Sequence, residues 1–371
     1  MLQFHGIPEK INAAGVFAAK EKLIGSLKSN TILISREAPS RLEGLFNTTL
    51  TASSGLRGKG IRNVDPLFFD TVQEDDIVLI TPEGKIQILF QSHSDDNGVF
   101  FTGHCNSRCV TCPQPFSENP SDHFQILFKM AELIPASYTG QIGITGGEPT
   151  LHFKELCDFM KVILKRLPEA SFSILTNGRL LKNEEWKSLL EITKKRAMFC
   201  IPLFSDLPKM HDYLVGVEGA FEETIYGLQN LALYRQPVEM RFVINKQNFH
   251  RLNGLAEFVF SNLPFVSHVA LMGMEYIGNA EKNLENLFID PLDYAAELSS
   301  AVKFLSRRDV NVSVFNVPLC LLDSEIRAFS RVSISSWKRG YLEQCEGCSL
   351  RENCGGVFTT SKKSYSSIKP V

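Results

Sequence analysis

The sequence predicts an α/β protein built on an incomplete (β/α)6 barrel, with a small β-containing region before it and a Cys-rich extension after it. Three observations predict this. From about residue 98 to 306, short apolar runs of strand length alternate with helix-length amphipathic segments. Before residue 98 the texture is hairpin-like and, in part, glycine- and serine-rich. The nine cysteines are uneven, with one group directly after the first apolar run of the alternating part and another near the C-terminus. The expected organisation is therefore 1–97, 98–306 and 307–371.

In 1–97, "DDIVLITPEGKIQILFQ" reads as two strands joined by a turn at "PEG". "SREAPSRLEGLFNTTLTASSGLRGKGI" reads as partly loop. In 98–306 the strands are "GVFFTG", "GQIGIT", "SFSILT", "RAMFCIPLF", "VEMRFVIN" and "HVALMGM". The helices are "SDHFQILFKMAELI", "LHFKELCDFMKVILKRL", "NEEWKSLLEITKK", "AFEETIYGLQNLALY", "NFHRLNGLAEFVFSNL" and "DPLDYAAELSSAVKFLSRR". Strands apolar on both faces, alternating with helices, imply a parallel sheet covered by helices. Six such units in a row suit a partial barrel better than an ordinary nucleotide-binding sheet. After residue 306, "VNVSVFNVPLCLL" supplies one or two strands, and the polar tail "SKKSYSSIKPV" reads as frayed.

The net charge of −2 gives no global basic field to draw nucleic acid. No apolar run is long enough to span a membrane, and the first residues lack the apolar core of a signal peptide. The chain therefore reads as cytoplasmic, where thiols stay reduced and clustered cysteines serve as metal ligands or catalysts. Cys157, in an amphipathic helix, and Cys200, in an apolar run, read as small buried hydrophobes.

Cys105, Cys109 and Cys112 lie on the loop after the first barrel strand, the face where parallel barrels build active sites. Three thiolates can hold three corners of a cubane iron–sulfur cluster and leave the fourth iron open. A zinc site is the alternative, with His104 as its fourth ligand.

This CxxxCxxC loop resembles that of radical S-adenosylmethionine enzymes. The resemblance extends to "TGGEPTL" (145–151), to "TNG" within "ILTNGRLL", to "PLFSDLPKMHDYLVG" with its His211 and Asp212, and to "MGMEYIGNA". It implies that Cys105, Cys109 and Cys112 carry a [4Fe–4S] cluster and that S-adenosylmethionine is the co-substrate. It assigns Gly146, Gly147 and Glu148 to the methionine amino group. It places Asn177 near the cofactor, Ser205 at the ribose and Arg241 toward the carboxylate. His211 is as well explained as a loop brace. Relatives often carry an aromatic residue before the third cysteine, where this chain has Thr111. The implied reaction is reductive cleavage of S-adenosylmethionine to a 5′-deoxyadenosyl radical, which abstracts hydrogen from a substrate.

The C-terminal spacing, Gly340 followed by Cys345, Cys348 and Cys354, resembles the twitch or SPASM extensions that hold auxiliary clusters. Cys320 matches the first cysteine of such an extension, and Phe358 stands where a further one is expected. The resemblance thus implies one auxiliary [4Fe–4S] cluster on Cys320, Cys345, Cys348 and Cys354. A zinc knuckle would use the same ligands.

The set of motifs looks most like a His-Xaa-Ser system peptide maturase. That implies a ribosomally made precursor peptide, a second radical maturase as partner, and a flavodoxin- or ferredoxin-type electron donor. Neither nucleic acid nor membrane is an expected partner. Alternatives are nucleoside or cofactor biosynthesis by the same chemistry, and a metal-bound scaffold that presents a peptide to a partner enzyme. The N-terminal region is expected to offer a sheet edge to a leader peptide, a dimer contact or a partner surface.

Overall fold

The computed structural model describes residues 3–9, 15–20, 31–35, 49–54, 60–114, 124–182 and 184–371. Most of the glycine- and serine-rich stretch read as partly loop lies outside the described residues.

The N-terminal unit is a sheet of β1 (Gln3–His5), β2 (Ile7–Glu9), β3 (Gly15–Lys20), β4 (Thr31–Ser35), β5 (Thr49–Thr51), β6 (Gly60–Arg62), β7 (Ile77–Ile80) and β8 (Lys85–Phe90). Its order is β1-β8-β7-β3-β4-β5-β6-β2. The two end strands are consecutive in the chain, separated by Gly6 alone. One continuous segment therefore pairs with β8 through Gln3–His5 and with β6 through Ile7–Glu9. The sheet closes on itself. A Cβ on Gly6 would collide with Ile61, so only glycine passes there. The expected hairpin is β7–β8. The ring is filled by Phe4, Phe17, Ile32, Leu50, Ile61, Val78 and Ile86, and by Phe68 from α1 (Pro66–Thr71). Among the described strands, the sheet thus ends only in the three-residue strands β1 and β2.

The second sheet is parallel: β9 (Asp96–Thr102), β10 (Gln141–Gly146), β11 (Ser171–Leu175), β12 (Ala197–Pro202), β13 (Val238–Val243), β14 (His268–Met272), β15 (Val312–Phe315) and β16 (Ser330–Arg331), in chain order. The six expected strands are all present. The sheet then runs on through β15 and the short β16, past the sixth unit.

Its outer face is covered by α2 (Phe124–Leu133), α3 (Phe153–Arg166), α4 (Trp186–Thr193), α5 (Pro208–Val215), α6 (Ala220–Leu233), α7 (Leu252–Asn262) and, after the short α8 (Asn279–Lys282) and α9 (Leu284–Leu287), α10 (Ala295–Ser306). Each buries an apolar stripe at helical spacing, as Leu156, Phe159, Met160 and Ile163 do on α3. Cys157 and Cys200 are buried as expected. Among the described residues no helix is long and apolar enough to cross a membrane.

The inner face carries a polar cluster. Glu239 faces both the Arg241 guanidinium at 2.5 Å and His268 at 2.8 Å, and His268 meets Ser313 at 3.0 Å. Burial raises the Glu239 pKa, but His268 and Arg241 outweigh it and hold the carboxyl down at about 2.

The tail does not fray. Tyr365 and Ile368 are buried, and the Asp290 carboxylate accepts the Ser366 and Ser367 backbone N–H groups at 3.0 and 3.3 Å. Two apolar anchors and a run of serine donors dock a segment that looks polar on average.

Candidate cluster and cofactor site

The strand ends β9 to β14 converge on a cavity of about 340 Å³. Cys105, Cys109 and Cys112 line it together with Gly146, Gly147, Asn177 and Arg241. The three thiols are half-buried. Burial raises the pKa of all three, that of Cys109 to about 12. A metal centre must supply the charge that keeps such thiols ionised.

The cysteine loop is held from every side. Gly147 N–H donates to Thr102 O at 2.8 Å and Glu148 N–H to His104 O at 2.7 Å, which ties the loop to the end of β10. Gly146 has φ +139°, and a Cβ there would strike the Thr102 carbonyl. A Cβ on Gly147 would strike the His104 carbonyl. The paired glycines are thus required where two backbones touch. From α5, Val215 O and Leu214 O accept the Arg108 and Val110 N–H groups, each at 3.0 Å. Arg179 donates to Asn106 O at 2.7 Å and to Ser107 Oγ at 2.9 Å, and Glu223 fixes its guanidinium at 2.7 Å. Asn279 N–H donates to Cys112 O at 2.9 Å and its side chain to Cys109 O at 3.2 Å. Sequence reasoning passed over Arg179 and Asn279, although both stand inside quoted motifs, directly after "TNG" and within "IGNA".

The other expected residues divide. Asn177 lines the cavity, and its side chain donates to Asn106 Oδ1 at 2.6 Å. Arg241 lines it too, beside Cys200, whose thiol burial pushes up to about 11. Glu148 is fully buried and outside the cavity lining. Its Oε1 accepts Thr150 N–H at 3.0 Å and the Thr150 and Thr176 hydroxyls at 2.6 Å each, and its Oε2 accepts Asn177 N–H at 2.7 Å. Burial raises its pKa against those four bonds. The carboxylate therefore braces the ends of β10 and β11, while the glycines face the cavity.

Ser205 is likewise outside the lining; fully buried, it accepts Leu207 N–H at 3.1 Å. Burial dominates at His211 and lowers its pKa to about 4, and its Nδ1 accepts Phe204 N–H at 3.2 Å. That contact is a loop brace. Thr111 is buried. His104 turns its Nδ1 to His152 Nε2 at 2.8 Å.

A second cavity is walled by Cys320, Cys345, Cys348 and Cys354 together, with Gly340 and Tyr341. Cys320 sits in the turn Leu319–Leu321, and β17 (Arg339–Gly340) pairs with β18 (Val357–Phe358), bringing Gly340 beside the cysteines. Cys354 Sγ accepts N–H groups from Leu319 at 3.5 Å and Gly356 at 3.4 Å. Lys369 and Pro370 of the tail complete the wall. Among the described residues, no three His, Cys, Asp or Glu side chains are grouped so as to hold a single metal ion.

The chain is similar to proteins of known activity. The Radical SAM superfamily model matches residues 99–259. A GTP 3′,8-cyclase of Sulfurimonas denitrificans is 35% identical over 94 residues, 24% of this chain and 29% of that protein. The antilisterial bacteriocin subtilosin biosynthesis protein AlbA of Bacillus subtilis is 25% identical over 163 residues, 42% of this chain and 34% of that one. SuiB of Streptococcus suis, solved bound to precursor peptide SuiA, superposes with TM-score 0.49 at 17% identity over 60% of this chain and 49% of that chain. The chain thus spans less than half the length of these proteins. The residues matched by the Radical SAM superfamily model begin within β9 and take in the three-cysteine loop and the parallel strands through β13, less than half of the chain.

Proposed function

We propose that the chain is a radical SAM enzyme that modifies a ribosomally made peptide. The observation that carries the reading is the cavity in which the three thiols of one loop, Cys105, Cys109 and Cys112, share walls with Gly146, Gly147, Asn177 and Arg241, while the fourth thiol of the lining, Cys200, stands apart on β12. When bound, a [4Fe–4S] cluster and S-adenosylmethionine supply hydrogen abstraction from an unactivated carbon.

The chain's own residues supply the rest. Cys105, Cys109 and Cys112 are the cluster ligands. Gly146 and Gly147 present backbone to the methionine amino group, and Glu148 acts on that group by fixing the glycines rather than by contact. Arg241, oriented by Glu239, offers its guanidinium to a carboxylate. Asn177 fixes the cysteine loop from the cavity side. Arg179 and Asn279 hold that loop still.

Cys320, Cys345, Cys348 and Cys354 hold one auxiliary [4Fe–4S] cluster. The support is that the four thiols line one cavity and match the number of protein ligands of one closed cluster.

Similarity to AlbA supports a peptide substrate. The finer reading is a His-Xaa-Ser precursor, a second radical maturase as partner and a flavodoxin- or ferredoxin-type donor, on the strength of the motifs in 98–360. The GTP 3′,8-cyclase similarity favours cofactor biosynthesis as the second reading.

The test is anaerobic reconstitution, reduction with dithionite and assay of 5′-deoxyadenosine from S-adenosylmethionine. Product in the wild type and none in Cys105→Ala/Cys109→Ala/Cys112→Ala is expected. Bound zinc without iron would overturn the proposal.

A further inference from the structure

A second opening lies beside the thiol cavity. It is a slit of about 560 Å³ bounded by β9, the end of β8 and the segment that follows β16. Gln114 and Thr145 belong to the walls of both spaces, so the slit leads to the cluster loop.

One wall of the slit is an open strand edge. Among the described residues β9 pairs with β10 alone. Gln141 N–H donates to Asp95 O at 2.7 Å. By the alternation of a parallel ladder, Asn97 and Val99 also turn their backbone groups toward β10, and Asp96, Gly98 and Phe100 turn theirs away. Ser94 Oγ meets the Asp96 backbone, donating to its O at 2.8 Å and accepting its N–H at 3.3 Å. That leaves the stretch from Gly98 to Phe100 for another partner.

The space over this stretch is clear. A Cβ on Gly98 would meet nothing within 4 Å. Glycine inside a strand, with no packing or φ requirement for it, marks a place where another backbone approaches closely. Phe100 on the strand and Trp337 opposite are 39% and 41% exposed.

The charge of the lining selects the occupant. Among the described residues its one cation, Lys338, is tied to both Glu275 oxygens at 3.0 Å, and its one anion is Asp96. A nucleoside triphosphate would bring several negative charges to a wall with no free cation among the described residues. An extended peptide brings backbone donors and acceptors to an open strand edge, and apolar side chains to the two rings.

We propose, resting on the peptide reading above, that the substrate peptide lies in this slit as an added strand along Gly98–Phe100, clamped by Phe100 and Trp337, and passes its target residue beyond Thr145 to the cluster loop.

The test uses the reconstituted full chain and a fluorescein-labelled peptide of four His-Ala-Ser repeats. Binding is read by anisotropy, and 5′-deoxyadenosine formation is read in parallel. Gly98→Trp fills the slit; Trp337→Ala, at an exposed position, removes the clamp and serves if the first variant fails to fold. Peptide affinity at least tenfold weaker in Gly98→Trp and several-fold weaker in Trp337→Ala, with 5′-deoxyadenosine formation unchanged, is expected. Equal affinity in wild type and variants would overturn the slit while leaving the peptide reading intact. No binding to the wild type, with 5′-deoxyadenosine still formed, would overturn the peptide occupant and leave only the radical chemistry.

Discussion

The Glu148 carboxylate accepts the Thr176 hydroxyl at 2.6 Å, joining the ends of β10 and β11 from beneath the cavity. The same Thr176 oxygen accepts Gly178 N–H at 3.1 Å, so one buried acid organises two of the cavity's loops. Glu148→Gln replaces one acceptor oxygen with a donor and leaves a buried N–H without a partner. The expected cost is about 1–3 kcal/mol in thermal or denaturant unfolding. Thr150→Val removes a donor instead and should cost less, about 1 kcal/mol. Equal stability of Glu148→Gln and wild type would refute the brace.

The C-terminal thiols give an iron count. Cys345→Ala/Cys348→Ala/Cys354→Ala should lose half the iron of the reconstituted wild type, because one of two clusters is gone. Cleavage of S-adenosylmethionine, which depends on the other cavity, should persist in the absence of peptide. Unchanged iron together with lost zinc would identify a zinc knuckle.

His211 gives a pH dependence. Its pKa falls from 6.5 to about 4 in the fold, chiefly through burial. Between those values the unfolded chain takes up a proton that the native imidazole refuses. This contribution is fully present above pH 6.5 and is lost as pH falls toward 4, by about 3 kcal/mol in all. His211→Asn keeps an acceptor for Phe204 N–H and removes the titration. Its stability should therefore change less than that of the wild type across this window, as measured by denaturant midpoints at a series of pH values.

Asp290 gives a handle on the tail. Asp290→Ala removes the acceptor for Ser366 and Ser367, at a cost of about 2 kcal/mol. Amide exchange across 366–371 should accelerate, and iron should leave the four-thiol site faster under chelator. Unaltered exchange would show that Tyr365 and Ile368 suffice to hold the tail.

The barrel was legible because its signals are local. Apolar runs such as "SFSILT" are bounded by turns, and the observed strand, Ser171–Leu175, is nearly the quoted run. The cysteine loop was legible from spacing. Helix α5 is absent from the expected helices because it is short, although Pro208 in its first turn and Gly216 just past its end are ordinary start and stop signals. Glu148 and Ser205 have the residue types a cofactor contact needs, but sequence does not say whether a polar side chain meets ligand or its own backbone. Ring closure through Gly6 was illegible because it joins residues far apart in the chain, and the tail because two buried anchors hide in a polar average.

The strap through Gly6 also sets an order of events during folding. Gln3–Glu9 is made before either of its partners, and Gln87 is made last among the residues it pairs with. Contacts so distant in sequence carry a loop-closure cost that local pairs such as β7–β8 avoid. The hairpin can form as soon as it is made, but the ring cannot close until β8 exists. A strand made before all of its partners is thus among the last to settle, and until then the edges of β6 and β8 that it covers stay open.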